Sequence, residues 1–250
     1  MMRISHLASL CLLLIPACGD GAGSGVDAAI GDGAPGGGDG ASDAPPGART
    51  ITLSGTAKEI STSGTTPLAG VVLTAYAAAD DSMLGMATSA ADGTFAISVT
   101  TDAAIDGYLK ATFATTYKET YLYPPHVIDA DYANVPVYVL SKNTYGVVNA
   151  LLQDGQQATN GWIGLVIEDA AQAPVAGATV TSTPAGTVNY NGNNGLPSMT
   201  ATATAADGIA YDTNIAAGSV TVSAAKSGAT FLSHAIDVRP DVVTLTLVTE

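Results

Sequence analysis

The chain has 250 residues, with 8 Lys and Arg against 22 Asp and Glu, and its formal net charge is −14 at pH 7. Because there is no basic stripe to attract phosphate groups, this composition argues against nucleic acid as a partner. The two cysteines, Cys11 and Cys18, both lie near the N-terminus, so the rest of the chain must be stabilised by hydrophobic cores without disulfides.

The N-terminus combines Arg3, an apolar run from Leu7 to Ile15, and a small residue directly before Cys18. The run has the length of a signal-peptide core and is too short to cross a bilayer as a helix. The segment Ile15-Pro16-Ala17-Cys18-Gly19 resembles the lipobox of bacterial lipoprotein signal peptides. The resemblance implies a cleaved signal peptide over residues 1–17 and a lipid on Cys18 that makes the membrane a partner. An ordinary secretory signal cut nearby is the alternative.

Residues 18–49 are rich in Gly, Ala and Asp, and they contain five aspartates against one Arg49. Such a segment buries too little apolar area to offset its ordering entropy, which predicts a disordered tether. In the lipoproteins that the chain resembles, an aspartate directly after the cysteine is the signal for retention in the inner membrane. Gly19 stands there instead, so we expect an outer-membrane location, on the periplasmic face or the cell surface.

From residue 50 onwards, short runs of Val, Thr, Ile, Ala and Tyr alternate with Gly, Pro, Asn and Asp, as is typical of β-sandwiches. The sequence also repeats itself. Pro67-Leu68-Ala69-Gly70-Val71 recurs as Pro174-Val175-Ala176-Gly177-Ala178, and Ala90-Ala91-Asp92-Gly93 recurs as Ala205-Ala206-Asp207-Gly208. The repeat predicts two β-sandwich domains over residues 50–140 and 161–250, separated by a connector over residues 141–160.

Each copy is expected to contain a strand after its Pro-x-Ala-Gly turn, then a tight Asp-Gly turn, and later a closing strand. The closing strands are predicted over residues 135–140 and 242–248. The connector is predicted to hold a short helix capped by Ser141 or Asn143, with Tyr145, Val148 and Leu152 on one face.

The Pro-x-Ala-Gly turn followed by Ala-Asp-Gly resembles the carboxypeptidase regulatory-like domain, a small transthyretin-like sandwich. The resemblance implies an all-β chain: two tandem Ig-like or transthyretin-like β-sandwiches joined by a short helix, after the disordered N-terminal tether. It also implies no catalytic site, because the matching residues are turn and core positions.

Few residues suit catalysis or metal binding. His126, Asp129, Asp131 and His234 are the candidates for a metal-dependent hydrolase, which is a weak alternative because a metal site needs three or four converging ligands. The sequence has no phosphate-binding glycine loop and no nucleophile elbow. We therefore expect no catalytic residue, no metal ligand and no cofactor.

The tyrosines are unevenly distributed, since seven of the ten lie between residues 108 and 145. If residues 117–123 are extended, Tyr117, Glu119, Tyr121 and Tyr123 share one face. Such a face suits a glycan or an envelope protein. The interpretation we favour is that the rings pack the first sandwich against the connector helix or the second domain, with their hydroxyls at the rim. The sequence thus predicts a non-catalytic, lipid-anchored envelope protein for binding or structural interaction, or alternatively a carbohydrate-binding protein. Exposure of the rings would favour the carbohydrate-binding protein, and burial of the rings would argue against it.

Overall fold

A computed structural model describes residues 47–61 and 64–250. The predicted signal peptide, the lipidation of Cys18 and almost all of the predicted tether lie outside the described residues. In the first half of the chain the strands are β1 (Arg49–Ser61), β2 (Gly64–Pro67), β3 (Val72–Ala77), β4 (Met83–Thr88), β5 (Thr94–Thr101), β6 (Gly107–Thr112), β7 (Thr120–Tyr123) and β8 (Tyr132–Leu140). They are followed by helix α1 (Lys142–Leu151) and by β9 (Gly161–Glu168), β10 (Thr179–Thr183), β11 (Thr187–Asn191), β12 (Pro197–Ser198), β13 (Ile209–Ile215), β14 (Gly218–Ala225), β15 (His234–Val238) and β16 (Val243–Thr249).

Each half of the chain contributes strands to two sheets, one of its own and one that the two halves share. In the first half, β1 pairs antiparallel with β5 and parallel with β8, while β3 pairs with β4 and β6, and β6 pairs with β7. In the second half, β9 pairs antiparallel with β13 and parallel with β16, while β14 lies between β10 and β15. The all-β class and the sandwich architecture predicted from the sequence are confirmed.

The last strand joins the two halves through backbone hydrogen bonds. β16 pairs in parallel with β9 on one side and with β7 on the other, from Val243 opposite Thr120 to Thr246 opposite Tyr123. This pairing creates one nine-stranded sheet in the order β12-β11-β13-β9-β16-β7-β6-β3-β4. Residues Gly47–Glu250 accordingly form one compact unit. The division into domains at residues 50–140 and 161–250 stays a prediction.

The strand registers place the two cores on opposite faces of this long sheet. Leu122 of β7 lies opposite Leu245 of β16, and both contact the core of the first half. Tyr123 lies opposite Thr246, which in turn lies opposite Leu165 of β9, and Leu165 belongs to the core of the second half. Because successive side chains of a strand point to opposite faces, the sheet β2-β1-β5 with β8 covers one face and the sheet β10-β14-β15 covers the other.

The predicted connector helix is confirmed. The hydroxyl oxygen of Ser141 accepts a hydrogen bond of 3.1 Å from the Thr144 N–H and so caps the first turn. Leu152 is buried, and Tyr145 and Val148 pack with it against the cluster around Trp162. Within the described residues no helix is both long and apolar enough to cross a membrane.

The Asp-Gly turns have the backbone conformation that the sequence predicts. Gly93 has a φ of +79° and Gly208 a φ of +66°, which glycine adopts without the strain of a Cβ atom. The Gly93 carbonyl accepts a hydrogen bond of 2.8 Å from the Ala57 N–H, and the Gly208 carbonyl accepts one of 2.9 Å from the Ile167 N–H. The turns therefore occupy equivalent places in the two halves.

A buried hydroxyl group supports each of these turns. Ser89 and Thr204 stand directly before the two Ala-Ala-Asp-Gly segments and are 5% and 4% exposed. In each half the hydroxyl oxygen accepts from one backbone N–H at 2.9 Å and donates to a backbone carbonyl within 2.7 Å. The partners are Val71 and Leu68 for Ser89, and Ala178 and Val175 for Thr204. Both hydroxyl groups connect the Asp-Gly turn to the Pro-x-Ala-Gly turn, so the sequence repeat is also a repeat of hydrogen bonds.

Candidate functional site

Four tyrosines form a cluster on the part of the nine-stranded sheet that belongs to the first half. Tyr76 of β3 and Tyr108 of β6 lie opposite each other and stack, with their ring centres 5.4 Å apart. The Tyr108 ring centre is 5.2 Å from that of Tyr123 and 5.6 Å from that of Tyr121, both in β7. These four residues are called the tyrosine cluster below. They occupy the face of the sheet opposite the core of the first half.

Arg239, which follows β15 in the second half, covers this cluster. Its guanidinium carbon lies 4.6 Å from the ring centre of Tyr121 and 5.0 Å from that of Tyr108, within the range of cation–π attraction. One guanidinium nitrogen donates a hydrogen bond of 2.9 Å to the Tyr123 hydroxyl, and the other lies 3.0 Å from the Asp237 carboxylate. The positive charge is thus satisfied by aromatic faces, a hydroxyl and a carboxylate together.

A second ion pair lies at the edge of the cluster. Lys110 of β6 and Glu119 form a salt bridge of 3.0 Å, and the Lys110 ammonium lies 5.4 Å from the Tyr121 ring centre. Burial lowers the pKa of Lys110, but hydrogen bonds to Glu119 and Tyr121 raise it, and the net shift is upward. Burial also raises the pKa of Tyr108 and of Tyr123, so both phenols stay protonated at neutral pH.

The structure brings together three of the four residues that the sequence predicts as a ligand-binding face. Tyr121 and Tyr123 share a face of β7, and Glu119 lies beside Tyr121, 3.5 Å from its hydroxyl. Tyr117 lies apart from them. It packs edge-on against Phe113, with a centre distance of 5.0 Å, and contacts the core of the first half. The regular alternation fails there because β7 begins only at Thr120.

Burial decides what this face can do. Tyr121 is 8% exposed and Tyr123 is 5% exposed, since neighbouring rings and Arg239 cover them. The two rings therefore present no stacking surface to a sugar, and the geometry gives the predicted carbohydrate-binding row no support. In this arrangement the cluster holds two halves of the protein together.

Two of the four candidates for a metal site, Asp131 and His234, serve other contacts. The Asp131 carboxylate accepts a hydrogen bond of 2.8 Å from the Thr52 N–H, and His234 Nε2 lies 2.7 Å from the Thr246 hydroxyl. Burial lowers the pKa of His234, and the nearby His126 lowers it further. Across residues 47–61 and 64–250, no three His, Cys, Asp or Glu side chains are arranged to hold a metal ion.

Sequence reasoning did not predict Tyr76, Tyr108, Lys110 or Arg239 as residues of this site, and of these Arg239 alone lies in the second half of the chain. The chain has only three arginines, Arg3, Arg49 and Arg239, and only the last of them lies in the second half. The presence of one arginine in the second half is the sequence signal that could have identified it, because Arg stacks on aromatic faces while it pairs with carboxylates.

Comparison with known proteins finds no matching family model and no matching curated protein. Among solved structures, the chain is similar to the TIE protein of Bacillus anthracis, at 12% identity and a TM-score of 0.27, over 80% of this chain and 34% of the TIE chain. It therefore spans about a third of that protein. Shaft pilin SpaA of Lactobacillus rhamnosus GG is 14% identical over 80% of this chain and 98% of the pilin, with a TM-score of 0.27. The minor pilin GBS52 of Streptococcus agalactiae is 12% identical over 80% and 96%, with a TM-score of 0.26. Such distant likenesses carry no argument about function.

Proposed function

We propose that the protein is a non-catalytic lipoprotein of the bacterial envelope, whose unit Gly47–Glu250 provides a β-rich surface for binding or structural interaction. The observation that carries this proposal is the nine-stranded sheet, which makes one compact unit of both halves. Arg239, Lys110 and Lys118 are each paired with a carboxylate, so they stabilise the unit.

The attachment to the membrane is argued from the sequence. The apolar run Leu7 to Ile15 ends directly before Pro16, Ala17 and Cys18, which is the order of a lipoprotein signal. Acyl chains contribute about 0.8 kcal/mol per buried methylene group, so several chains on one cysteine give durable anchoring. The acidic segment between Cys18 and residue 47 is proposed to act as the tether between the lipid and the β-rich unit.

The two sandwich halves are proposed to be carboxypeptidase regulatory-like domains. Their shared turns and the equivalent hydrogen bonds of Ser89 and Thr204 support a common repeat unit. The matching positions are structural, which is consistent with a protein that binds or supports and does not catalyse.

Membrane fractionation of Cys18→Ser, expressed in a Gram-negative host, tests the anchor. We expect the wild-type chain in the membrane fraction and Cys18→Ser in the soluble fraction, with acylation of the wild-type N-terminal peptide detected by mass spectrometry. Cys11→Ser is the matched control, because Cys11 lies inside the segment that is removed and its loss should leave fractionation unchanged. A membrane-bound Cys18→Ser together with an unacylated wild-type N-terminus would contradict the proposal.

Separation of inner and outer membranes tests the location. We expect the wild-type chain in the outer membrane and Gly19→Asp in the inner membrane, because aspartate after the cysteine is the retention signal of the lipoproteins that the chain resembles. Wild-type protein found mainly in the inner membrane would contradict an outer-membrane location and leave the anchor itself in place.

A further inference from the structure

A polar recess of about 160 Å³ lies between Lys118, α1, the segment after α1 and the turn before β16. Its polar lining consists of Lys118, Tyr145, Asn149, Gln156, Gln157 and Asp241. Sites that bury drug-sized ligands have volumes of roughly 300–1,000 Å³, so this recess fits a smaller ligand, such as a single ring.

The charges inside the recess balance each other. The Lys118 ammonium donates hydrogen bonds to the Asp241 carboxylate and, at 3.2 Å, to the Asp241 carbonyl. The Lys118 side chain is 11% exposed and lies 4.7 Å from the ring centre of Tyr145, whereas the Asp241 side chain is 82% exposed. Because one cation faces one anion, the recess favours neither a free anion nor a free cation.

One wall of the recess is fixed by Gln156. Its amide nitrogen donates to the carbonyls of Asn160 at 2.9 Å and Gly161 at 3.1 Å, and its amide oxygen accepts from the Asn214 N–H at 3.1 Å. These bonds attach the segment after α1 to the start of β9 and to the end of β13. The wall is therefore already formed before a ligand binds, which reduces the ordering that binding requires.

Two other amides of the lining are not committed to the fold. The Asn149 Oδ1 atom is buried, and among the described residues it has no hydrogen-bond partner. Gln157 uses its backbone N–H, which donates to Asn214 Oδ1 at 2.7 Å, while its side-chain amide has no partner within the described part of the chain. Each amide offers both donors and acceptors, and the terminal torsion of Asn149 allows its amide to turn towards a bound group.

We propose that this recess binds a small neutral polyhydroxyl ligand, namely a single sugar ring or the terminal sugar of a glycan. A hydroxyl group both donates and accepts, so adjacent hydroxyls match a lining of two free amides, one ammonium and one carboxylate. Charge-assisted hydrogen bonds to Lys118 and Asp241 give such a ligand orientation. The inference rests on the binding role proposed for the β-rich unit and is independent of the lipid anchor.

The test uses the full chain in detergent micelles with glucose, galactose, mannose and N-acetylglucosamine as probes. Saturation-transfer difference NMR detects binding, and the fluorescence of Trp162, the one tryptophan of the chain, reports its position. The Trp162 and Tyr145 ring centres are 5.9 Å apart, so a ligand against Tyr145 should alter the emission. We expect at least one sugar to give saturable signals by both methods.

Paired variants assign the binding to the recess. Asn149→Ala combined with Gln157→Ala should weaken sugar binding at least tenfold. The matched controls are Asn143→Ala on the exposed side of α1 and Gln153→Ala after it, both of which should bind as the wild type does. Thermal melting by circular dichroism verifies that each variant is folded, and Gln157→Ala alone, at an exposed position, provides a second measurement if the double variant is unstable.

Three results would overturn the inference. The first is the absence of saturable binding by any of the four sugars in the folded wild-type chain. The second is binding that the Asn149 and Gln157 substitutions leave unchanged. The third is binding of inorganic phosphate or acetate in place of the sugars, which would mean that the recess selects a charge. Membrane fractionation of the same cells before detergent extraction separates these outcomes from a failure of the anchor.

Discussion

The guanidinium group of Arg239 donates a hydrogen bond of 2.9 Å to the hydroxyl of Tyr123, which lies 116 residues earlier in the chain. Arg239 follows the last strand of the three-stranded sheet, whereas Tyr123 ends β7 of the nine-stranded sheet. The same guanidinium also lies against the ring of Tyr121. This contact therefore adds a side-chain connection between the halves to the backbone pairing of β7 with β16.

Replacement of Arg239 by Ala should lower the free energy of unfolding by about 2 kcal/mol. The substitution removes two cation–π contacts and a charge-assisted hydrogen bond, and it leaves the Tyr123 hydroxyl without its donor. Arg239→Lys should lose about half as much, because a lysine keeps the charge and lacks the planar fork. Unfolding in guanidinium chloride measures both.

Arg49→Ala is the control for charge, since Arg49 is exposed at the start of β1. Its effect should stay within about 0.5 kcal/mol, as for most surface substitutions. Equal losses for Arg239→Ala and Arg49→Ala would contradict a specific role for the contact.

The two halves should unfold in one cooperative transition. The hydrogen bonds between β7 and β16 cross from one half to the other, and Leu245 of β16 packs against the core of the first half. Opening of either half therefore exposes backbone groups and apolar surface of the other. Far-UV circular dichroism, which reports all strands, and the fluorescence of Trp162, which reports the second half, should give coincident curves. Two separate transitions would mean that the halves are energetically independent.

Gly93→Val and Gly208→Val should each lower the free energy of unfolding by about 2–4 kcal/mol. Both glycines have positive φ, and an added Cβ atom would lie 2.6 Å from the carbonyl oxygen of Ala57 or Ile167. Gly228→Val is the matched control, because Gly228 has a φ of +83° and no atom within 4 Å of an added Cβ. We expect a smaller loss there, from backbone strain alone, and an equal loss would show that the close carbonyl is unimportant.

The turns were predictable from the sequence because their chemistry is local. Asp-Gly steps require a conformation that glycine adopts readily, so Gly93 and Gly208 could be placed without knowledge of the fold. The cap at Ser141 follows from the same kind of short-range pattern. The supporting role of Ser89 and Thr204 could also have been predicted, since a hydroxyl residue precedes Ala-Ala-Asp-Gly in both copies.

The residue that covers the tyrosines could not be predicted in the same way. Alternation correctly puts Tyr121 and Tyr123 on one face, but it does not indicate what covers that face. The cover is Arg239, which is more than a hundred residues away. The joining of the two halves through β16 could not be predicted for the same reason, because strand pairing between residues so far apart in the chain leaves no local pattern in either strand.

Asp212 should make the stability of the unit Gly47–Glu250 depend on pH. It is 0% exposed in β13, and its desolvation outweighs the opposing effect on its pKa of hydrogen bonding from Ser182 and from the Thr213 backbone. Burial raises the pKa of Asp212 from its ordinary 3.8 to about 6. Because the pKa of Asp212 is higher in the folded state than in the unfolded state, ionisation of Asp212 destabilises the fold. This destabilisation is absent below pH 4, where the carboxyl is protonated in both states. The destabilisation grows between about pH 4 and pH 6 to an amount on the order of 3 kcal/mol, and it stays constant above pH 6.

Asp212→Asn removes this titration, so the variant should gain stability relative to the wild type as the pH rises from 4 to 7. Urea unfolding at several pH values measures the difference between the two proteins, which cancels the titration of all other groups. Asp92→Asn provides a control of opposite sign, because the hydroxyl and backbone N–H of Thr94 hold the pKa of the Asp92 carboxyl below its ordinary value. The wild type should lose its advantage over Asp92→Asn as the pH falls through the acid range. A stability difference between wild type and Asp212→Asn that is constant from pH 4 to 7 would contradict a buried carboxyl with a raised pKa. Asp212 is the one titrating group in which the two proteins differ.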